Sequence, residues 1–512
     1  MTPRHLCGLL DDAERLHGDR PFLADGQGSF TYAQLATATR RLGGWLSRRG
    51  FRRGDRALIL TRNRVEVALA AFATARLGGL FAILHGAIRE PGLRRILEQV
   101  MPAVAFLDES TAHLAPAFAD VPIVWVGGDA GALSGVRLER ILEEEPAECP
   151  PFSGVDVEPV CLIYTSGSTG APRGVTLSHD NVLFVVAAIQ ARLQYRREDV
   201  VGVFLPLSFD YGLYQVFLAA QVGASVFVGS AELAGPTLLG TLERWRVTVL
   251  PGVPTLFAAL LKLLGRGGAG APCLRVLTNT GAHLPASHVE QLRRQLPGVS
   301  VFLMYGLTEC KRVSILLPEE LEAHPGSVGR ALPGTEALIL DEDGQVLPPG
   351  EVGELVIQGR HVALGYWRAP EETAMRYRTH PRGLGRVLHS GDLFRRDADG
   401  FLQFVGRKDA LLKRKGFRLH PLEIEEVACA LPGVAEAGVA QEDSGDRLHL
   451  FVTALPGAPP PREAGLLDAL VNRLEPYKVP DQVHWVLELP KTANGKLDRA
   501  ALARWAASEG RP

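Results

Sequence analysis

The chain has 512 residues, room for three to four domains or subdomains at roughly 150 residues each. Hydrophobic residues make up 46% and charged residues 22%, a globular balance that excludes a disordered chain, a collagen and a coiled coil. With 55 basic and 57 acidic residues the formal charge is −2, so no electrostatic footprint for nucleic acid is present.

Cys7, Cys149, Cys161, Cys273, Cys310 and Cys429 form no CxxC pair and no metal-ligand spacing. They read as reduced structural thiols of a cytoplasmic protein. Only eight of the basic residues are lysines, which makes each lysine easier to weigh. The opening segment MTPRHLCGLLDDAERLHGDR has no sustained apolar core and no small-residue cleavage site, so no signal peptide is expected. The longest apolar stretch (212–229) is broken by Gln215, Gln221 and glycines. It falls short of the roughly 20 apolar residues of a membrane span and predicts a buried helix followed by a strand.

Short β-branched runs alternate with helical patterns along the first 300 residues. Strands are expected at 56–61, 103–108 and 122–127, with a helix at 65–77. After Pro159 the alternation restarts. Strands at 160–164, 200–205, 225–228, 247–250 and 274–277 are interleaved with helices at 181–193, 213–222, 237–245, 255–264 and 285–296. Strands separated by helices of this length imply parallel sheets covered on both faces, and the restart predicts two α/β subdomains. From about Gly326 glycine, proline and short alternating strands take over, with DEDG and DADG as turn signals, predicting a β-rich subdomain. A compact α+β piece of about 100 residues follows Arg407–Asp409. The expected division is a large N-terminal domain at 1–408 and a small, mobile C-terminal domain at 409–512. The arginines between Arg40 and Arg56 read as a solvated helix face.

The sharpest chemical signal is YTSGSTGAPRG (164–174), directly after the strand VCLIY. Glycine, serine and threonine at this density let backbone N–H groups and hydroxyls surround a polyphosphate. No GxxxxGK[ST] is present, so this is not a Walker A loop. Downstream follow YGLTE (305–309), SGD (390–392), GRKD (406–409), KRKGFRLHPLEIE (413–425) and PKTANGKLDR (490–499), in that order.

Together these segments resemble the adenylate-forming superfamily of acyl-CoA synthetases, nonribosomal-peptide adenylation domains and luciferases. The likeness covers nearly the whole chain, from SFTYAQLA (29–36) to Arg499. It implies ATP and Mg²⁺ as cofactors, and a carboxylate that attacks the α-phosphate to give an acyl-adenylate and pyrophosphate. Catalysis of that kind is mainly positioning and electrostatic stabilisation. By this resemblance Thr165, Ser166, Gly167, Ser168, Thr169 and Gly170 hold the β- and γ-phosphates, and Arg173 stands where the family usually has lysine. Glu309 is the implied Mg²⁺ ligand, a hard oxygen donor for a hard cation. Thr308 is expected at the α-phosphate, Tyr305 beside the adenine, Asp392 and Arg407 at the ribose, and Asn279 and Gly281 between the adenine and acyl pockets. Lys496 matches the family's adenylation lysine. Asp409 matches the hinge about which the small domain turns, carrying Lys496 away and presenting residues 413–418 to the thiol.

The acid is less sharply defined. In LPLSFDYGLYQV (205–216), Phe209-Asp210 resembles amino-acid-activating domains, whose aspartate pairs with the substrate ammonium. A carboxylate in such an apolar run is costly to bury unpaired. A cationic substrate group would satisfy it, and so would backbone N–H groups at the start of the following helix. Tyr211, Tyr214, Met304, Arg312 and Val313 are the other expected pocket residues, suiting a small amino acid such as proline, with Arg312 facing either a polar side chain or an acid outside the pocket. With no condensation, carrier or thioesterase segment in view, the expected acceptor is the phosphopantetheine thiol of a separate carrier protein, as in free-standing amino acid–carrier-protein ligases of secondary metabolism. The alternative is a fatty or aryl acid ligase, with CoA or a carrier protein as acceptor. A catalytically dead relative is disfavoured by the presence of Thr169, Glu309, Asp392, Arg407 and Lys496. Neither a nucleic-acid nor a membrane partner is expected.

Overall fold

The computed structural model describes residues 3–128, 134–166, 172–266, 270–410, 412–414, 417–442, 447–455, 463–492 and 496–508. Two large sheets dominate. The first has eight strands, with Arg56–Leu60 at its centre between Leu80–Ile83 and Val104–Leu107, all parallel. Val104–Leu107 is buried at every position, as a strand covered on both faces requires. Strand Pro159–Ser166 pairs with Leu80–Ile83 and turns back antiparallel into Pro172–Ser178. The strand at which the sequence alternation restarts therefore completes the first sheet rather than opening the second. Its apolar run finds a matching two-sided site beside Phe81 and Ala82, with Cys161 and Leu162 opposite them.

The second sheet has 14 strands. Its parallel half runs through Ser225–Val228, Val200–Val203, Val249–Gly252, Val276–Asn279 and Ser300–Tyr305. It then continues without a break into the antiparallel strands Ser314–Leu316, Ser327–Ala331, Phe401–Arg407, Arg386–Arg396, Val352–Gly359 and Thr335–Leu340. The β-rich segment is thus a hydrogen-bonded extension of the second sheet. Both turn signals lie between paired strands: Gly344 and Gly400 take positive φ after Asp341 and Asp397. Arginines of the Arg40–Arg56 stretch pair on the surface with Glu14, Glu145 and Glu158.

A smaller three-stranded sheet (Val434–Gln441, Leu448–Ala454, Gln482–Trp485) packs against helices Pro421–Cys429, Glu463–Val471 and Arg499–Ala507. Among the described residues no helix is long and apolar enough to cross a membrane, and all six cysteines are free.

Candidate active site

Ligands of open α/β sheets collect beyond the carboxyl ends of parallel strands. Asn279 and Tyr305 are the last residues of two neighbouring parallel strands, and both face a cavity of about 980 Å³. Gly281, Met304, Asp392, Arg407 and Lys496 line the same cavity, and its far wall comes from the C-terminal sheet and helices.

Asp392 stands opposite Arg407 in the ladder, its Oδ1 3.5 Å from Arg407 Nε. Tyr305 donates its hydroxyl to Asp392 Oδ2 at 2.6 Å, and its ring packs edge-on against Phe394. Asp392 Oδ1 is buried without a hydrogen bond, an acceptor of the kind a ribose hydroxyl satisfies. Burial raises the Asp392 pKa, while Arg407 and the Tyr305 hydroxyl oppose it.

Glu309 is buried outside the residues that line the cavity, and accepts a 2.7 Å hydrogen bond from Tyr366 on Oε1. Among the described residues Oε2 has no hydrogen bond and is free to meet a cation, so the donor fits Mg²⁺. Arg173 lies over the Tyr366 ring at 5.7 Å, and Thr165 is its partner across the hairpin. Thr308 is half-buried in the same turn as Glu309. Gly167, Ser168, Thr169, Gly170 and the Ser166 side chain lie outside the described residues, as do the side chains of Lys413 and of residues 415–418.

Lys496 reaches the cavity from the C-terminal side. The Thr492 N–H donates to its carbonyl at 2.7 Å. A Cβ placed on Gly281 would lie 3.8 Å from Lys496 Cε. Desolvation lowers the lysine's pKa against the fields of Asp210, Asp392 and Glu309. Lys496 is exposed and is one of the residues that line the cavity. Asp409 lies exposed in the turn Lys408–Ala410 and accepts from Arg407 Nε at 3.0 Å. Beside it, Lys408 reaches Glu354 at 3.2 Å, and Glu354 also accepts the Gly391 N–H. A second link between the sheets joins His283 Nε2 to Glu426 Oε1 at 3.1 Å.

The acyl-pocket candidates divide. Asn279 and Met304 line the cavity; Asp210, Tyr211, Tyr214, Arg312 and Val313 are buried and do not line it. Asp210 opens the helix Asp210–Val222 as its first residue, where the helix dipole favours an acid. Its carboxylate is met neither by backbone N–H groups nor by an open pocket. Lys311 Nζ holds Oδ2 at 3.0 Å with both side chains buried. Burial alone would raise the Asp210 pKa; Lys311 outweighs it, and the group stands below the usual carboxylate range. Beside the substrate ammonium and the helix-start N–H groups that the sequence offered as partners for Asp210, this chain supplies a cation itself, from 101 residues away.

Arg312, next in sequence, is also buried. It donates to Thr280, lies over the Tyr211 ring at 5.5 Å, and leaves Nε without an acceptor. Tyr211 bonds to Thr278, and the Tyr214 hydroxyl and Asn279 Oδ1 are buried without partners. Sequence reasoning missed Lys311, although it is one of only eight lysines and stands two residues after Glu309. Its left-handed backbone (φ 62°) is what turns it inward. Tyr366 was missed too, having no motif of its own.

Residues 10–367 match the AMP-binding enzyme family and residues 423–496 its C-terminal domain. The chain belongs to the AMP-binding enzyme family of adenylate-forming ligases. It is 30% identical over 513 residues to L-proline–[L-prolyl-carrier protein] ligase of Streptomyces coelicolor, covering 96% of this chain and 94% of that one. A linear gramicidin synthase of Brevibacillus parabrevis is 30% identical over 479 residues; the match covers 92% of this chain but only 9% of that synthase. CoA ligases for long-chain fatty acids (Salmonella typhimurium) and for 3-hydroxybenzoate (Aromatoleum sp.) match at 27% and 28%. Among solved structures, VinN in complex with L-aspartate is 32% identical with a TM-score of 0.70, covering 79% of this chain and all of that one.

Proposed function

We propose that this chain activates an amino acid bearing a second carboxylate, as its adenylate, and passes it to the phosphopantetheine thiol of a carrier protein. ATP is the co-substrate. The acid's carboxylate attacks the α-phosphorus and pyrophosphate leaves; the thiol then attacks the acyl carbon and AMP leaves. Lys496 meets the negative charge that develops between carboxylate and α-phosphate, a task suited to a compact ammonium. Asp392 and Arg407 hold the ribose. Glu309 would hold Mg²⁺, which supplies charge neutralisation at the phosphates. Asp409 is the hinge between residues 1–408 and 409–512, and absorbs the backbone change when the small domain turns.

One observation carries the choice of acid. Two buried cations, Lys311 and Arg312, face a single buried carboxylate, Asp210. An uncompensated buried charge costs several kcal/mol. A neutral-side-chain amino acid would add an ammonium to a cluster already one charge positive. A fatty or aryl acid would lay an apolar chain against three charges. A substrate whose second carboxylate engages Lys311 and Arg312 balances the cluster and leaves Asp210 for the ammonium. VinN, which binds L-aspartate in its crystal, and the prolyl-carrier ligase support amino-acid chemistry in this family.

The test is substrate-dependent ATP–pyrophosphate exchange. The comparison runs amino dicarboxylic acids against their deaminated and amide analogues, and against proline, fatty acids and aryl acids. Exchange with an amino dicarboxylic acid, lost when either the amino group or the second carboxylate is removed, is expected. Equal exchange with the deaminated diacid would assign Asp210 to Lys311 alone. Exchange only with proline, fatty or aryl acids would refute the reading.

A further inference from the structure

The strand Arg386–Arg396 is longer than its neighbour needs. Glu354 pairs with Leu393, yet Val356 already pairs with His389, so Ser390, Gly391 and Asp392 bulge out of that ladder. Bulges re-aim side chains and leave backbone groups without ladder partners. This bulge carries Asp392, which pairs with Arg407 on the other side, and Gly391 takes φ +70° within it. Its N–H groups are met by side chains. Glu354 Oε1 accepts from Gly391 at 3.0 Å; Ser390 Oγ accepts from Asp392 at 3.0 Å and donates to the Leu355 carbonyl at 2.6 Å.

The second oxygen of Glu354 faces the other way. Oε2 accepts from Lys408 Nζ at 3.2 Å and lies 3.4 Å from His389 Nδ1. Burial alone would raise the Glu354 pKa; His389, Lys408 and the Gly391 N–H outweigh it and hold the carboxyl down at about 2, so it is ionised. Lys408 stands between Arg407 and Asp409 and opens the turn Lys408–Ala410. Arg407 Nε lies 3.5 Å from Asp392 Oδ1 and donates to Asp409 Oδ1 at 3.0 Å. One carboxylate thus touches both the bulge that bears the ribose acid and the first residue of the hinge turn.

We propose that Glu354 is a positioning residue: one oxygen fixes the Gly391 turn that aims Asp392 at the ribose, and the other anchors Lys408, so that the pivot at Asp409 is held in register with the bound nucleotide. The proposal rests on the ribose and hinge assignments above and is independent of which acid is activated.

The experiment follows AMP binding to the full chain by calorimetry, and hydrogen–deuterium exchange in peptides covering 386–396 and 408–410. In the wild type AMP should slow exchange in both. Lys408→Met should keep AMP affinity within about twofold and keep the bulge protected. Its hinge turn should lose the protection AMP gives and exchange about two- to fivefold faster, the scale of an ion pair with one exposed member. Lys408→Arg should restore that protection. Glu354→Ala should lose both arms, with AMP binding about tenfold weaker, the scale of a lost hydrogen bond to a charged group, and faster exchange in both peptides. If Glu354→Ala does not fold, Glu354→Gln carries the comparison, because it keeps an acceptor for Gly391 and loses the charge that holds Lys408. Lys408→Met/Glu354→Gln should expose the hinge no more than the worse single variant, since both break one contact. Asp392→Ala checks the ribose assignment separately, and unchanged AMP affinity there would refute that assignment and the proposal with it. Hinge protection that survives Lys408→Met, or hinge effects that add in the double variant, would overturn the proposal alone.

Discussion

Replacing Lys311 by methionine removes the ammonium that holds a buried carboxylate. At 3.0 Å and an effective dielectric near 20, Coulomb attraction between Lys311 and Asp210 is about 5.5 kcal/mol. Much of that offsets the cost of taking both groups out of water. Removing one member of such a pair still costs about 3–5 kcal/mol, because the survivor remains buried and unpaired. Lys311→Met should therefore lower the unfolding midpoint of the large domain markedly, and Asp210→Leu should do the same by leaving two cations uncompensated. Lys311→Met/Asp210→Leu should recover most of the loss, since an apolar pair of similar volume needs no desolvation. The pH dependence has a definite sign. In the wild type Asp210 stands below its ordinary value of about 3.8, so its contribution is present above that value and is lost as pH falls through its folded pKa. In Lys311→Met burial dominates and raises the Asp210 pKa, so the deficit against wild type should be largest at neutral pH and should shrink in acid. Urea unfolding followed by tryptophan fluorescence at pH 5 and pH 8 measures this. Single variants that each lose less than about 1 kcal/mol, or a double variant that loses their sum, would refute the charge argument.

Other consequences follow from the same geometry. Lys496→Ala should lower adenylation by about 10²–10³-fold, the scale of removing one transition-state charge partner, while thioester formation from pre-made adenylate stays close to wild type. Equal loss in both half-reactions would contradict the assignment. Asp409→Pro should fix the hinge turn and separate the two half-reactions, preserving one and suppressing the other; parallel loss of both would count against the hinge. At the link between the domains, burial beside Glu425 and Glu423 pushes the Glu426 carboxyl up to about 7, and burial holds His283 down at about 4. A raised carboxyl pKa stabilises the folded contact below the ordinary Glu range and loses that contribution as pH rises through about 7. Limited proteolysis at the hinge should therefore be faster at pH 8 than at pH 6, and Glu426→Gln should flatten the difference.

Much of this protein is written locally. Alternating apolar runs, glycine-bearing turns and helix starts follow from side-chain period and backbone freedom within a few residues, so strands such as Val104–Leu107 and the turns at Gly344 and Gly400 were legible from the chain alone. The order of the phosphate, YGLTE, SGD and ANGK segments identified the family, because reactive backbone and carboxylate positions sit at strand ends and turns with fixed local spacing. Sheet membership was not legible. The run at Pro159 reads the same whether it joins the first sheet or opens a second, and only the two-sided slot beside Leu80–Ile83 decides it. Charge pairing was not legible either. Asp210 reads as an acid in want of a partner, and Lys311, 101 residues on, meets it only because a left-handed turn after Glu309 aims it inward. Tyr366 meets Glu309 across 57 residues through a two-residue strand. Local sequence sets which groups are available; long-range packing, which closes the loops between them, decides which groups share one low-dielectric space and so what charge the site asks of its substrate.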